Sequence, residues 1–441
     1  IGANLVIDGN YGDDTIFGSA AADTIVGAGG NDVLNGGEGG DTYRVTGNEP
    51  GGWGSFHGFD SYADTGTTGT DRILALGTGA VDIGLLGSFG PASGIEEING
   101  TGAKGVVRLY GDGSGTTLDF RTVKLVGTNL VIDASSGNDV VYGSAEANTL
   151  VGGSGDDTLD GAGGADTYRV TGSIPSAFQG YDTYADSGTG GPDKIAAIGT
   201  GDVDIGLKGD FGAASGIESI DASGAKGTVR LLGDGNAQTL DFRAVTLVGT
   251  RLLIDAGNGN DVVYGSAGAD TLVSNSGEDA LDGGGGADVY RVTGNGVAGF
   301  HGYDTYKDTG TSGVDKIVAF GTGDVDIGLR GGFGPAAGIE AIEGTGAAGV
   351  VRLLGEGSAE TFDFRTVTLT GTNLVIDAGN GNDTVYGSAG DNVLFGNLGD
   401  DSLDGGNGSD TYRVTGSQIE GWWTFSGYDT YADTGTAGTD R

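Results

Sequence analysis

The chain of 441 residues holds 97 Gly, 5 Pro and neither Cys nor Met, with 61 acidic against 21 basic residues and a formal net charge of −40. Gly at about three times its usual share, without a collagen period, means many tight turns rather than a triple helix, and the lack of Cys excludes disulfides and thiolate sites. Such charge opposes compaction without counter-ions. It also excludes the basic footprint of a nucleic-acid binder or of a protein held on an anionic membrane, and no apolar run approaches the ~18 residues of a membrane span.

A long repeat is the first organising feature. The segment Asn-Leu-Val-Ile-Asp, once Arg-Leu-Leu-Ile-Asp, ends at Asp8, Asp133, Asp255 and Asp377. The string Asp-(Thr/Val)-Tyr-Arg-Val-Thr-Gly begins at Asp41, Asp166, Asp288 and Asp410, in steps of 125, 122 and 122 residues. The chain therefore divides into repeat 1 (1–125), repeat 2 (126–247), repeat 3 (248–369) and a partial repeat 4 (370–441). It opens at Ile1 and closes at Arg441 in mid-pattern, as expected of a window on a longer tandem array. The length difference has one location. Asp41 to Asp60 and Asp410 to Asp429 span 19 residues, whereas Asp166 to Asp182 and Asp288 to Asp304 span 16. Trp53, Trp422 and Trp423, the 3 Trp of the chain, all sit in the longer versions. Variation at one point of a regular array marks an external loop, and its aromatics make it a candidate contact loop.

After Asp8 a nine-residue period begins: Gly9–Phe17, Gly18–Val26, Gly27–Asn35 and Gly36–Arg44. Each unit approximates Gly-Gly-x-Gly-x-Asp-x-U-x, with U large and apolar. The sixth positions are Asp14, Asp23, Asp32 and Asp41, and the eighth are Ile16, Ile25, Leu34 and Tyr43. Blocks 9–44, 134–169, 256–291 and 378–413 share the pattern. Their sixth positions continue as Asp139, Asn148, Asp157 and Asp166, then Asp261, Asp270, Asp279 and Asp288, then Asp383, Asn392, Asp401 and Asp410. Gly supplies the positive φ that turning within six residues demands, and the last three residues form a short strand with U inward. Two units complete a coil, so carboxylates two units apart stack, Asp14 with Asp32 and Asp23 with Asp41. Stacked carboxylates repel unless a cation lies between them, and hard oxygen donors of this kind suit Ca²⁺ better than Mg²⁺. Asn148 and Asn392 lack the carboxylate, so the Asn148/Asp166 and Asn392/Asp410 sites are expected to be weaker or empty. Ser274 and Asn275 replace a Gly pair, which puts the geometry of that turn in question.

This pattern resembles the RTX (repeats-in-toxin) calcium-binding nonapeptide. The resemblance implies an all-β, right-handed parallel β-roll or β-helix solenoid stapled by multiple Ca²⁺. It also implies type I secretion, with the chain unfolded inside the cell and folding outside.

Beyond each block the Gly-x-Asp-x-U pattern returns at Asp60 and Asp71, Asp182 and Asp193, Asp304 and Asp315, and Asp429 and Asp440. One more coil is expected there, with Asp60 over Asp32 and Asp71 over Asp41. These Asp residues form a looser set of metal candidates, with turn capping as the alternative. The stretch that follows, such as Lys194–Ile254, alternates apolar and polar residues in short runs without a helical stripe. One β-helix whose coils, about 20 residues on average, change in size is the favoured reading, with a small β-sandwich bead as the alternative. Leu118-Asp119-Phe120 through Ile132-Asp133 is similar to the lead-in of RTX blocks.

Catalytic chemistry has no candidate. His57 and His301 share one position that is Gln179 or Ser426 in the other copies, and no Ser–His–Asp set is aligned. The chain is not expected to be an enzyme. A calcium-dependent extracellular structural or adhesive protein (a fibre, stalk or surface-layer component) is the leading reading. A calcium-binding secretion module of a larger RTX enzyme or toxin is the second, and a polysaccharide-binding solenoid the third. Expected partners are Ca²⁺ and either copies of the chain, end to end or in a lattice, or cell-surface polysaccharide.

Overall fold

Each nonapeptide spends six residues turning and three extending, and the strands follow that division. In the computed structural model they are Thr15–Phe17, Thr24–Val26 and Val33–Asn35, then a longer Thr42–Thr46. The structure describes residues 4–47, 57–172, 178–294, 300–414, 418–419, 422–423 and 427–441. The middle residue of each strand points inward, so Ile16, Ile25, Leu34 and Tyr43 are buried while their neighbours are more exposed. The equivalent apolar positions of the other blocks are buried in the same way, for example Val141, Leu150, Leu159 and Tyr168. Strands two units apart pair in parallel, Thr15 with Val33 and Thr24 with Thr42. A coil of two nonapeptides is therefore the unit, and the fold is an all-β parallel solenoid.

Two compact units divide the chain. One comprises Ile1–Lys208, Ala213–Val229 and Val248–Arg251, the other Gly209–Gly212, Arg230–Leu247 and Leu252–Arg441. In the first unit, one sheet runs from Val6–Asp8 through Thr24–Val26, Thr42–Thr46, Arg72–Gly77 and Glu97–Ala103 to Lys124–Val126. A second sheet begins at Thr15–Phe17 and passes through Val81–Leu85, Val107–Gly111, Leu130–Asp133 and Thr149–Val151. A third begins only at Thr117–Asp119 and continues with Val140–Tyr142, Thr158–Asp160 and Tyr181–Ala185. The first roll thus lies between the first and second sheets. The next roll lies between the second and third.

The handover happens where the coil becomes three-sided. Phe89 bridges to Leu118 and starts the new side, and its ring meets that of Phe120 with centroids 5.3 Å apart. Phe120 is wholly buried. The short 3-10 turn Pro91–Ser93 closes the new corner. The second unit builds the same arrangement from its own strands. Thr361–Asp363 starts a new sheet while the one ending at Thr368–Thr370 stops, and Phe333 stacks with Phe364 at 5.4 Å.

Within each unit this is one solenoid whose coils change size, and no β-sandwich bead interrupts it among the described residues. The expected coil of about 20 residues is too short outside the blocks. Carboxylate-to-amide bonds between successive coils span 18 residues inside a block but 28 and 30 at its end, then 25, 26 and 23 beyond it. The third side adds a strand and a corner to each circuit.

The turn containing Ser274 and Asn275 closes like its neighbours, despite lacking the Gly pair. Asn275 takes the left-handed conformation at φ +64°, as Ala28 and Ala162 do at +69°, and Asn tolerates that region. Its Nδ2 donates to Asp255 Oδ1 at 2.5 Å. The loop holding Trp53 lies outside the described residues. Trp422–Trp423 pairs antiparallel with Gln418–Ile419, and the side chains of both Trp also lie outside the described residues.

Candidate calcium centre

The sixth-position carboxylates form ladders along the edges of the rolls. The backbone N–H of Asp14 donates to Asp32 Oδ1 at 2.8 Å, and that of Asp32 to Asp60 Oδ1 at 3.1 Å. On the other edge Asp23 donates to Asp41 at 2.5 Å, Asp41 to Asp71 at 2.6 Å, and Asp71 to Glu96 Oε2 at 2.7 Å. The second block repeats this with Thr116, Asp139, Asp157 and Asp182, and with Asn148, Asp166, Asp193 and Glu218. The third repeats it with Gln238, Asp261, Asp279 and Asp304, and with Asp270, Asp288, Asp315 and Glu340. The fourth has Glu360, Asp383, Asp401 and Asp429, and Asn392, Asp410 and Asp440. The extra coil expected over Asp32 and Asp41 is therefore present, with Asp60 and Asp71 in the expected places. Glu96, Glu218 and Glu340 extend the ladders as acceptors and were not anticipated, whereas Glu360 joins the fourth through its backbone N–H and its carboxylate accepts from Glu356 N at 3.0 Å. A Glu outside the Gly-x-Asp pattern carries no local sign that its carboxylate joins the column.

Each ladder uses one carboxylate oxygen. The other is left over in most cases. Oδ2 of Asp14, Asp32, Asp41, Asp139, Asp157, Asp166, Asp261, Asp279, Asp288, Asp383, Asp401 and Asp410 is buried without a hydrogen-bond partner. An uncompensated buried carboxylate oxygen is costly, and each of these twelve leaves an acceptor for a cation to satisfy. The first Gly of the unit makes room for it. A methyl group on Gly27 would lie 2.5 Å from Asp32 Oδ2, and one on Gly36 would lie 2.3 Å from Asp41 Oδ2. The donor set is hard, anionic and oxygen-only, which fits Ca²⁺.

Without an ion Asp41, Asp139, Asp157, Asp166, Asp261, Asp279, Asp288, Asp383, Asp401 and Asp410 are held above their ordinary range, first by burial and then by neighbouring carboxylates. Asp157 is pushed up to about 6, and Asp166, Asp279 and Asp288 up to about 7. Asp60 and Asp182, at the ends of their ladders, also rise to about 7.

One sixth position in each block behaves differently, although Asp41, Asp166, Asp288 and Asp410 follow it in the same column with an orphaned Oδ2. Asp23 Oδ2 accepts the N–H of Ser19, and Asp270 Oδ2 that of Ser266, each at 2.6 Å. Asn148 and Asn392 fill the same place. Their Oδ1 atoms accept from Ser144 N and Ser388 N at 2.6 and 2.7 Å, and their Nδ2 groups donate to the Ser hydroxyls at 3.0 and 2.9 Å. The side chain at this position is satisfied inside its own turn, so Asn replaces Asp there without an orphaned oxygen. The Gly-Ser start of these units, in place of Gly-Gly, is the sequence signal.

The His position has a backbone task. Gly30, Gly155 and Gly277 donate their N–H groups to the carbonyls of His57, Gln179 and His301 at 2.8, 2.6 and 2.7 Å. Any side chain brings that carbonyl, which accounts for His and Gln alternating. His57 is exposed and His301 half-buried.

The family model of the RTX calcium-binding nonapeptide repeat matches the chain four times, at residues 8–43, 133–168, 255–290 and 377–412. The matches coincide with the four blocks to within one residue and cover about a third of the chain. The chain thus carries RTX repeats, which imply calcium binding and are typical of secreted proteins. A solenoid of this kind is typically a structural or binding module. No curated protein matches the chain. Among the described residues, no helix is long and apolar enough to cross a membrane.

Proposed function

From four RTX blocks in a parallel β-solenoid, we propose that this chain is a calcium-dependent extracellular structural or adhesive repeat protein that folds on Ca²⁺ after secretion. The observation carrying the reading is the set of twelve buried Asp oxygens without partners in a chain of net charge −40. Ligands that are orphaned and mutually repulsive without the ion make binding free energy into folding free energy. A fibre, stalk or surface-layer role is supported by the recurrence of the same bonds copy after copy, which suits a lattice of equivalent ion sites rather than one reaction centre. The sixth-position Asp residues with an orphaned Oδ2 are the ligands in this reading, and Asp60, Asp182, Asp304 and Asp429 close their ladders.

The direct test is far-UV circular dichroism with small-angle scattering, taking Ca²⁺ from chelator to about 10 mM with Mg²⁺ in parallel. A cooperative coil-to-β transition with Ca²⁺ alone is the expected outcome. A chain already folded in chelator, or indifferent to the ion, sinks the reading.

The two kinds of sixth position give a sharper contrast. Asn148→Asp is expected to leave the number of bound ions unchanged and to move the calcium midpoint by less than about two-fold, because Asp23 and Asp270 at the same position are satisfied by the same Ser N–H. Asp157→Asn is expected to reduce the ion count measured by isothermal titration calorimetry. An ion gained by Asn148→Asp would show that a carboxylate at this position does bind calcium.

A further inference from the structure

Beyond the nonapeptide blocks, three carboxylates converge at the end of a roll in each of three copies. The groups are Asp41, Asp64 and Asp71, then Asp166, Asp186 and Asp193, then Asp288, Asp308 and Asp315. In each group every residue offers an oxygen within 4.8 Å of the others. Asp64, Asp186 and Asp308 lie outside the nonapeptide rule and outside the matched blocks.

Their placement is built by the third side of the coil. The N–H groups of Asp64, Asp186 and Asp308 donate to the carbonyls of Ser93, Ser215 and Ala337 at 2.8, 2.6 and 2.6 Å. Those acceptors are the last residues of the 3-10 turns Pro91–Ser93, Ala213–Ser215 and Pro335–Ala337. The Gly that follows each turn is tight against the same Asp. A methyl group on Gly94 would lie 2.3 Å from the Asp64 carbonyl oxygen, and one on Gly338 would lie 2.4 Å from that of Asp308. The corner that turns a two-sided coil into a three-sided one thus fixes the third carboxylate.

The clusters are short of positive charge. Among the described residues no ion pair reaches any of the nine carboxylates. Asp41, Asp166 and Asp288 are at most 1% exposed and keep an unpartnered Oδ2, and Asp186 and Asp308 keep an unpartnered Oδ1. Asp186 contacts Asp193 at hydrogen-bonding distance, as Asp308 contacts Asp315. Two carboxylates that close cannot both be anionic unless a proton or a cation lies between them. In the first copy Tyr43 Oη donates to Asp64 Oδ2 at 2.5 Å, which turns one oxygen away and leaves the other accepting from Gly66 N at 2.7 Å.

We propose that each of these clusters is a separate calcium site, made of side-chain carboxylates and anchored by the 3-10 turn, that locks the end of a roll onto the wider coil above it. It rests on the calcium reading of the rolls, since Asp41, Asp166 and Asp288 belong to both.

The test is the triple variant Asp64→Asn, Asp186→Asn, Asp308→Asn, with bound Ca²⁺ counted by equilibrium dialysis and atomic emission beside a far-UV spectrum. The expected result is three fewer ions per chain and an unchanged spectrum at saturating Ca²⁺. An unchanged count overturns the proposal. Should the triple variant stay unfolded in Ca²⁺, the single variant Asp186→Asn decides: one ion fewer supports the site, and an unchanged count rejects it. If the unsubstituted chain binds no Ca²⁺ at all, the calcium reading of the rolls fails first, which a changed or unchanged variant count cannot mimic.

Discussion

Freed of divalent ions at pH 7.5, the chain is expected to be largely unfolded, and lowering the pH to about 5 is expected to recover much of the β signal without any metal. Burial and neighbouring carboxylates hold Asp60, Asp166, Asp182, Asp279 and Asp288 at about 7 in the fold, and Asp71, Asp157 and Asp383 at about 6, against an ordinary 3.8. A group raised in the folded state contributes stability that is complete below its unfolded value and is lost as pH rises through its folded value. The loss therefore falls between about pH 4 and pH 7. Each carboxyl raised this far disfavours the ion-free fold at pH 7.5 by on the order of a few kcal/mol. Several together cancel the ~5–15 kcal/mol that holds an ordinary domain together. Asp119, Asp241 and Asp363 run the other way. Hydrogen bonds from Arg121, Arg243 and Arg365 hold them below the ordinary value, so their contribution fades only under stronger acid. Circular dichroism of an ion-depleted sample across pH 4.5–8 reads the effect. An ion-free chain more structured at pH 7.5 than at pH 5 would contradict the account of the orphaned carboxylates. Protons and Ca²⁺ are then interchangeable ways of removing the same negative charge, and calcium affinity is expected to fall as the pH drops.

Gly30→Ala is expected to destabilise the calcium-loaded chain far more than Gly12→Ala, although both glycines occupy the same place in the nonapeptide. Gly12 has φ +114°, with nothing within 4 Å of a would-be methyl group. Its substitution costs only the left-handed backbone penalty, about 1–2 kcal/mol. Gly30 has φ +134°, and its methyl group would lie 2.1 Å from the Gly12 carbonyl oxygen. The obstacle is backbone, so relief requires separating two coils. Separation also strains the bonds from Gly12 N to Gly29 O and from Gly30 N to His57 O, 2.6 and 2.8 Å long. A loss above about 3 kcal/mol is expected from strain and steric overlap together. A stacked array confines such damage to neighbouring coils, so the combined variant at Gly30, Gly155, Gly277 and Gly399 is the stronger test. Their methyl groups would all lie within 2.1 Å of a carbonyl oxygen one coil away. Denaturation in saturating Ca²⁺ should show the cooperative transition lost in that variant. A midpoint close to that of Gly12→Ala would mean that the coils are not closely stacked.

The sequence alone determined what repeats at nine residues. That period places Ile16, Ile25, Leu34 and Tyr43 inside, puts Asp14 over Asp32 and Asp23 over Asp41, and even carries Asp60 and Asp71 into register, because the same Gly-x-Asp turn recurs there. A fixed period is a local property, and it survives translation into stacked coils unchanged. Only the tertiary structure decided the rest. Coils of 23 to 30 residues have no common period, so the partners of Glu96, Glu218 and Glu340 could not be read along the chain. The third side of the coil, and the change of sheets it brings, follows from Phe89 packing on Phe120 and from a 3-10 turn too short to leave a sequence stripe. Asn148 and Asn392 looked like lost ligands, because sequence gives residue type but not which oxygen points where. Their turns show that Ser144 and Ser388 already occupy the group in question. Asp64, Asp186 and Asp308 recur as faithfully as any ligand. What brings them to Asp41, Asp166 and Asp288 is a corner made by residues about thirty positions further on, and contacts at that separation are fixed by how coils stack rather than by any spacing in the sequence.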